Sequence, residues 1–229
     1  MQIGILGTGT VGRALAEGFV RTGHDVFVGT RDVHATTVRP MDGGPPGSMA
    51  DWLADHPSIA LVDLPSAAGS AEVVINATNG AGSLDALTAA GAEHLTGKVL
   101  IDVANPLDFS AGFPPTLAIK DTDSLGELIQ RTFPQARVVK ALSTLTAALM
   151  TRPDLLPEPT TLPIAGDDPA AKSVVTDLLE QFGWMDVLDL GDISNARGLE
   201  MWLPLWLRTL GALGTPLFNL RIVRAPTEA

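Results

Sequence analysis

Glycines 7, 9 and 12 in the run Gly7-Thr8-Gly9-Thr10-Val11-Gly12 strip the backbone bare where a chain can turn sharply and a phosphate can approach. The run follows a short apolar segment, Gln2 to Leu6, and precedes a helical pattern, Arg13 to Thr22. In that setting Gly7 permits the tight turn, Gly9 lets the backbone approach a pyrophosphate, and Gly12 lets helix pack closely on strand. Unpaired N–H groups and a partial positive charge at the start of the helix favour phosphate oxygens. The pattern alone is short and common. Its place between a strand and a helix makes it read as a dinucleotide site, against the plainer reading of a turn that only packs one element on the other.

The end of the second strand selects the dinucleotide. Proteins that bind NAD place an acid there, about 20 residues on, to hold the ribose 2′-hydroxyl. This chain reads Val28-Gly29-Thr30-Arg31-Asp32, with Thr30 where the acid would stand and Arg31 next to it. A hydroxyl beside a planar guanidinium suits a 2′-phosphate, so NADP(H) is expected. The competing assignment puts Asp32 on the ribose and leaves Arg31 in solvent.

Few other residues offer chemistry. The sequence has no cysteine, which removes disulfides, thiolate metal sites and cysteine nucleophiles, and no tyrosine, which removes a phenol proton donor. The four histidines, His24, His34, His56 and His94, fall at a strand start or in surface segments and read as solvated. Lys140 ends a strand and faces the expected cleft. It can bind a substrate carboxylate, donate a proton, or pair with a strand-end acid such as Asp102. Asn105, before Pro106, can hydrogen-bond a carboxamide or satisfy its own turn. Trp202 and Trp206 share a helix face and suit either an acceptor pocket or a core or dimer interface.

The elements that must position these residues alternate. Apolar runs at Gln2–Leu6, Asp25–Gly29, Ile59–Val62, Val73–Ala77, Val99–Val103 and Arg137–Lys140 read as strands. Helical patterns at 13–22, 50–55, 83–90 and 125–133 lie between them, and 41–48 reads as a loop. This order predicts a doubly wound, mostly parallel α/β sheet of the Rossmann type with right-handed crossovers. After a proline-rich connection over 152–163, a strand at 162–165, a helix at 169–182 and a strand at 185–190 extend the same sheet. The tail from Ser194 to Leu213 is apolar nearly all round and must be buried in its own subunit or in a partner, with Pro204 kinking it or starting a second helix. The expected division is a nucleotide-binding domain over 1–192 and a small helical C-terminal portion over 193–229.

Hydrophobic residues make up 45% of the 229, so a sizeable core is expected. A net charge of −11 argues against nucleic acid and anionic membranes as partners, and makes any phosphate-binding arginine a local exception. Leu199 to Leu213 is too short to span a bilayer and no basic leader is visible, so a cytoplasmic protein is expected.

The glycine loop, Val28-Gly29-Thr30-Arg31, Val138-Val139-Lys140-Ala141-Leu142, Leu188-Asp189-Leu190-Gly191 and Ser194-Asn195-Ala196-Arg197 together resemble the F420-dependent NADP oxidoreductases over nearly the whole chain. The resemblance implies a Rossmann sheet with extra strands, a helical C-terminal portion, a homodimer, and hydride exchange between NADPH and the deazaflavin ring of coenzyme F420. It implies that Gly7, Thr8, Gly9, Thr10, Val11, Gly12, Thr30 and Arg31 hold NADP. It further implies that Ala77, Thr78 and Asn79, with Ala104, Asn105 and Pro106, border the nicotinamide. Ala141, Leu142, Ser143 and Thr144 would then lie where the deazaflavin meets it. Ser143 stands where some members carry a histidine, and the Phe-Asn-Thr of others is absent.

Hydride transfer between two bound rings needs proximity, with reacting carbons about 3–3.5 Å apart, and no covalent nucleophile. Two further readings stay open: an NADPH-dependent reductase of a flavin or a small carbonyl or imine, and a non-catalytic NADP(H)-binding sensor.

Overall fold

A computed structural model describes residues 1–40 and 47–225, so most of the expected loop at 41–48 lies outside the described residues. The first half of the chain alternates as β1 (Gln2–Leu6), α1 (Thr10–Arg21), β2 (Asp25–Thr30), α2 (Val33–Val38), α3 (Met49–Asp55), β3 (Ile59–Asp63), α4 (Leu64–Ser70) and β4 (Val73–Asn76). It continues with α5 (Ser83–Ala90), α6 (Ala92–Leu95), β5 (Val99–Asp102), a two-residue pair β6 (Leu107–Asp108) and β7 (Thr116–Leu117), α7 (Leu125–Thr132) and β8 (Arg137–Lys140). The last part holds α8 (Ala147–Met150), β9 (Thr161–Gly166), α9 (Pro169–Gln181), β10 (Asp186–Asp189) and α10 (Ala196–Leu213).

Among the described residues eight strands form one sheet in the order β10-β9-β8-β5-β4-β1-β2-β3. Every pairing is parallel except β8 with β9, so the sheet is mostly parallel as expected. Each strand sends alternate side chains to opposite faces. Ile3, Ile5, Val73, Ile75, Val99 and Ile101 therefore meet α1 and α9 through Leu15, Phe19, Val175 and Leu178. Leu6, Val74, Leu100 and Val138 meet α4, α5 and α7 through Ala67, Leu87 and Ile129. Two apolar layers, one on each face, hold the strand ends in register, and the strand ends carry the candidate chemistry.

The structure adds to and departs from the expectations at several elements, the short α6, α8 and β6–β7 among them. The helices α2 and α4 were not anticipated, although each has a readable start: Asp32 caps α2 through Ala35 N at 2.8 Å, and Asp63 caps α4 through Ser66 N at 2.8 Å. The antiparallel pairing of β9 to β8 follows no local pattern. Of the two alternatives for Pro204, the start of a second helix is excluded, since one helix runs from Ala196 to Leu213 with the proline inside it. Its anchored residues, Ala196, Leu199, Glu200 and Leu203, are buried, whereas Met201, Leu205 and Leu213 are exposed.

Candidate functional site

The glycine loop joins β1 to α1 as the sequence predicts. Gly7 has φ +123°, a conformation that side chains rarely adopt, and a Cβ at Gly12 would overlap the Gly7 carbonyl oxygen. The Gly7 N–H is held by the Gly29 carbonyl at 3.1 Å, which fixes the loop to the end of β2. A Cβ at Gly9 would meet nothing within 4 Å, so the backbone at the start of α1 faces open space. That bare face, with the amide groups of a helix start behind it, fits a pyrophosphate.

The open space belongs to a cleft of about 490 Å³. Of the residues singled out in the sequence, Gly7, Thr8, Gly9, Thr30, Arg31, Ala77, Thr78 and Asn79 line it. Thr10, Val11 and Gly12 form the first turn of α1 beneath it. Asp32 is not among its lining residues, because its carboxylate is spent on the α2 cap. Sequence reasoning missed Arg39, which also lines the cleft; its eight-residue separation from Arg31 is bridged only once α2 has folded.

Three strand-end loops meet beside the cleft. Thr78 Oγ donates to Asn76 Oδ1 at 2.6 Å, and Asn76 Nδ2 donates to Asp102 Oδ1 at 2.8 Å. Asn105 Nδ2 donates to the Ser143 carbonyl at 2.8 Å, so the Ala104–Pro106 and Ala141–Ser143 segments touch. Leu142 has φ +61°, which costs a non-glycine residue about 1–2 kcal/mol. Asn105 Oδ1, Ser143 Oγ and Thr144 Oγ1 are buried without a hydrogen-bond partner among the described residues. Buried polar atoms are seldom left unpaired, and strained backbone concentrates where function requires it. Both features mark this turn as a place that receives a polar group.

Lys140 does not face the cleft. It is fully buried, and its Nζ contacts Asp102 Oδ2 and Glu200 Oε1, each at 2.8 Å, and the Ala104 carbonyl. Burial works against the charge, but the two carboxylates outweigh it and hold the lysine above its ordinary value of 10.5. Glu200 also accepts from the N–H groups of Leu125 and Gly126 at the start of α7. Of the alternatives open for Lys140, the structure selects pairing with Asp102. Sequence reasoning missed the second acid, Glu200; a single carboxylate in an apolar segment is a signal, but one that does not name its partner. Among the described residues no three His, Cys, Asp or Glu side chains are grouped to hold a metal, and no helix is long and apolar enough to cross a membrane.

Residues 2–106 match the family model described as NADP oxidoreductase, coenzyme F420-dependent. The F420-dependent NADP-reductase candidate from Arthrobacter sp. FB24, solved as a crystal structure, is 53% identical and superposes with a TM-score of 0.93, covering 98% of this chain and 100% of that one. The F420-dependent NADP reductase of Methanocaldococcus jannaschii is 30% identical over 114 residues, 49% of this chain. Metalloreductase STEAP3 of Rattus norvegicus is 30% identical over 224 residues, 93% of this chain. The matches span 51% of the first curated relative and 39% of the second, so the chain corresponds to about half of their length or less. A glycine loop between strand and helix, Thr30 and Arg31 on one cleft, and full-length likeness to the Arthrobacter structure agree: the chain belongs to the F420-dependent NADP oxidoreductase family.

Proposed function

We propose that this chain is an NADP(H) oxidoreductase that exchanges a hydride with a deazaflavin-type acceptor, coenzyme F420. The cleft carries the reading, because it gathers the open backbone of Gly9, the side chains of Thr30 and Arg31, and Thr78 and Asn79 around one space. NADPH, when bound, supplies the hydride. The start of α1 binds the pyrophosphate, and Arg31 with Thr30 takes the 2′-phosphate. Asn79, on the cleft, would orient the carboxamide, with Asn105 on the neighbouring strand-end loop, and Ala77 would form an apolar part of the wall that excludes water.

The same arrangement favours a ring-to-ring transfer over reduction of a carbonyl or imine. A carbonyl needs a proton from the protein, and the one lysine near the site is locked between two carboxylates. A deazaflavin can take its balancing proton from solvent.

Purified protein assayed for NADPH oxidation is expected to turn over F420 and to leave flavins and a carbonyl and imine panel largely untouched. Turnover confined to flavin, carbonyl or imine defeats the deazaflavin assignment, and tight NADPH binding with no turnover favours a sensor. Arg31→Ala is expected to weaken NADPH at least tenfold more than NADH, about 1.4 kcal/mol. Equal losses defeat the 2′-phosphate assignment. We further propose that the protein acts as a homodimer, on the support of the apolar side chains that α10 leaves exposed.

A further inference from the structure

The cleft holds a second guanidinium. Arg39 follows the last residue of α2 and lines the cleft with Thr8, Thr30 and Arg31. Its Nη2 donates to Thr8 Oγ1 at 2.8 Å, across 31 residues of sequence. The backbone on either side is pinned: Arg39 N–H donates to the Thr36 carbonyl at 3.2 Å, and its carbonyl accepts from Met49 N at 3.3 Å. Pro40 pairs with Ser48 in an isolated antiparallel bridge.

Neither Arg31 nor Arg39 has a carboxylate within ion-pair distance among the described residues, where the other arginine ion pairs use Asp123, Asp154, Glu127, Glu158 and Asp186. In a chain of net charge −11, two guanidinium groups on one cleft, neither with a carboxylate partner among the described residues, are an unusual concentration of positive charge. Among the described lining residues only Asp85 opposes them.

The ligand that such a pair fits is a dianion. A phosphate monoester carries about −1.5 to −2 charges near neutral pH. Arg31 alone neutralises one of them. The Thr8 hydroxyl adds direction: with its oxygen accepting from Arg39, its own proton is left to donate towards the cleft.

We propose that Arg39 is the second cationic arm of the 2′-phosphate site and sets NADP specificity together with Arg31, with Thr8 as the hydroxyl held between arm and phosphate. This assignment rests on the NADP(H) reading above. It makes selectivity depend on a residue outside the strand-end signature, delivered by the length and cap of α2.

The test is titration of NADPH and NADH into the wild type, Arg31→Ala, Arg39→Ala and Arg39→Lys, followed by nicotinamide fluorescence at several salt concentrations. Arg39→Ala is expected to weaken NADPH about tenfold or more and NADH less than twofold, and to flatten the salt dependence of NADPH binding. Arg39→Lys keeps a charge but not the fork, and is expected to fall between. Thermal melts without ligand check that each variant is folded. If Arg39→Ala leaves NADPH binding intact while Arg31→Ala loses its preference, the second arm is wrong and the NADP reading stands. If Arg39→Ala weakens both dinucleotides equally, the arm does not read the 2′-phosphate and the proposal is overturned. If neither alanine variant changes the NADPH to NADH ratio, the NADP reading itself fails.

Discussion

Lys140 shows how far residue type and residue role can part. A lysine at the end of a strand in a cleft-forming sheet looks like a proton donor, yet its ammonium is sealed among Asp102, Glu200 and the Ala104 carbonyl. With its pKa raised above 10.5, it stays charged throughout the neutral range. The stability that it contributes is therefore complete below its unfolded value of 10.5 and is lost only as pH rises through the higher folded value. Removing one member of a buried charge cluster strands the others, at a cost of about 3–5 kcal/mol. Lys140→Met is expected to lose that much in urea unfolding. The double replacement Lys140→Met with Glu200→Met, which removes one charge of each sign, is expected to lose less. A larger loss in the double variant would show that packing, and not charge, dominates. The pairing with Asp102 was open to inference, since β5 and β8 are neighbours and Asp102 lies opposite Lys140 in register. Glu200 was not, because nothing in the sequence says which way α10 turns its one carboxylate.

At the scale of elements, the nucleotide half was legible and the packing of the C-terminal half was not. A glycine loop between an apolar run and a helical pattern has one common solution, and β1, α1 and β2 adopt it. The caps at Asp32 and Asp63 were equally local, but α2 and α4 are too short for their periodicity to stand out. How α10 docks depends on contacts between distant residues. One is the forked pair of Arg197 with Glu127, at 2.8 and 2.6 Å, which ties α10 to α7. The Arg197 hydrogen bonds hold the Glu127 carboxyl below its ordinary value of 4.5, against partial burial. A depressed carboxyl adds stability above its unfolded value and loses it as pH falls through the folded one. Glu127→Gln is accordingly expected to cost about 1–2 kcal/mol at pH 7. The gap to the wild type should close as the melts are carried to pH values below 4.5. A gap that persists unchanged in acid would show that the neutral hydrogen bonds alone carry the contact.

The whole molecule poses the question that the single chain leaves open on its surface. Met201, Leu205 and Leu213 on α10 are exposed, as are Leu217, Ile222 and Val223 in the segment after it. That segment folds back along β9, with Thr161 N–H donating to the Leu220 carbonyl at 3.1 Å and Phe218 stacked on Trp206. Several exposed large apolar side chains on one helix and the segment after it are the raw material of an interface between copies. Two chains of net charge −11 repel one another, so an interface has to be apolar and of ordinary size, about 1,200–2,000 Å² in total, to hold. A two-fold arrangement would place α10 against its own copy and bury its exposed face twice. Light scattering on the wild type is expected to give the mass of two chains at micromolar concentration. Leu205→Glu with Leu213→Glu should give the mass of one, with little change in fold, since both side chains are exposed in the single chain. A wild type that remains monomeric, or a charged variant that still dimerises, would remove α10 from the interface and require another explanation for its apolar face.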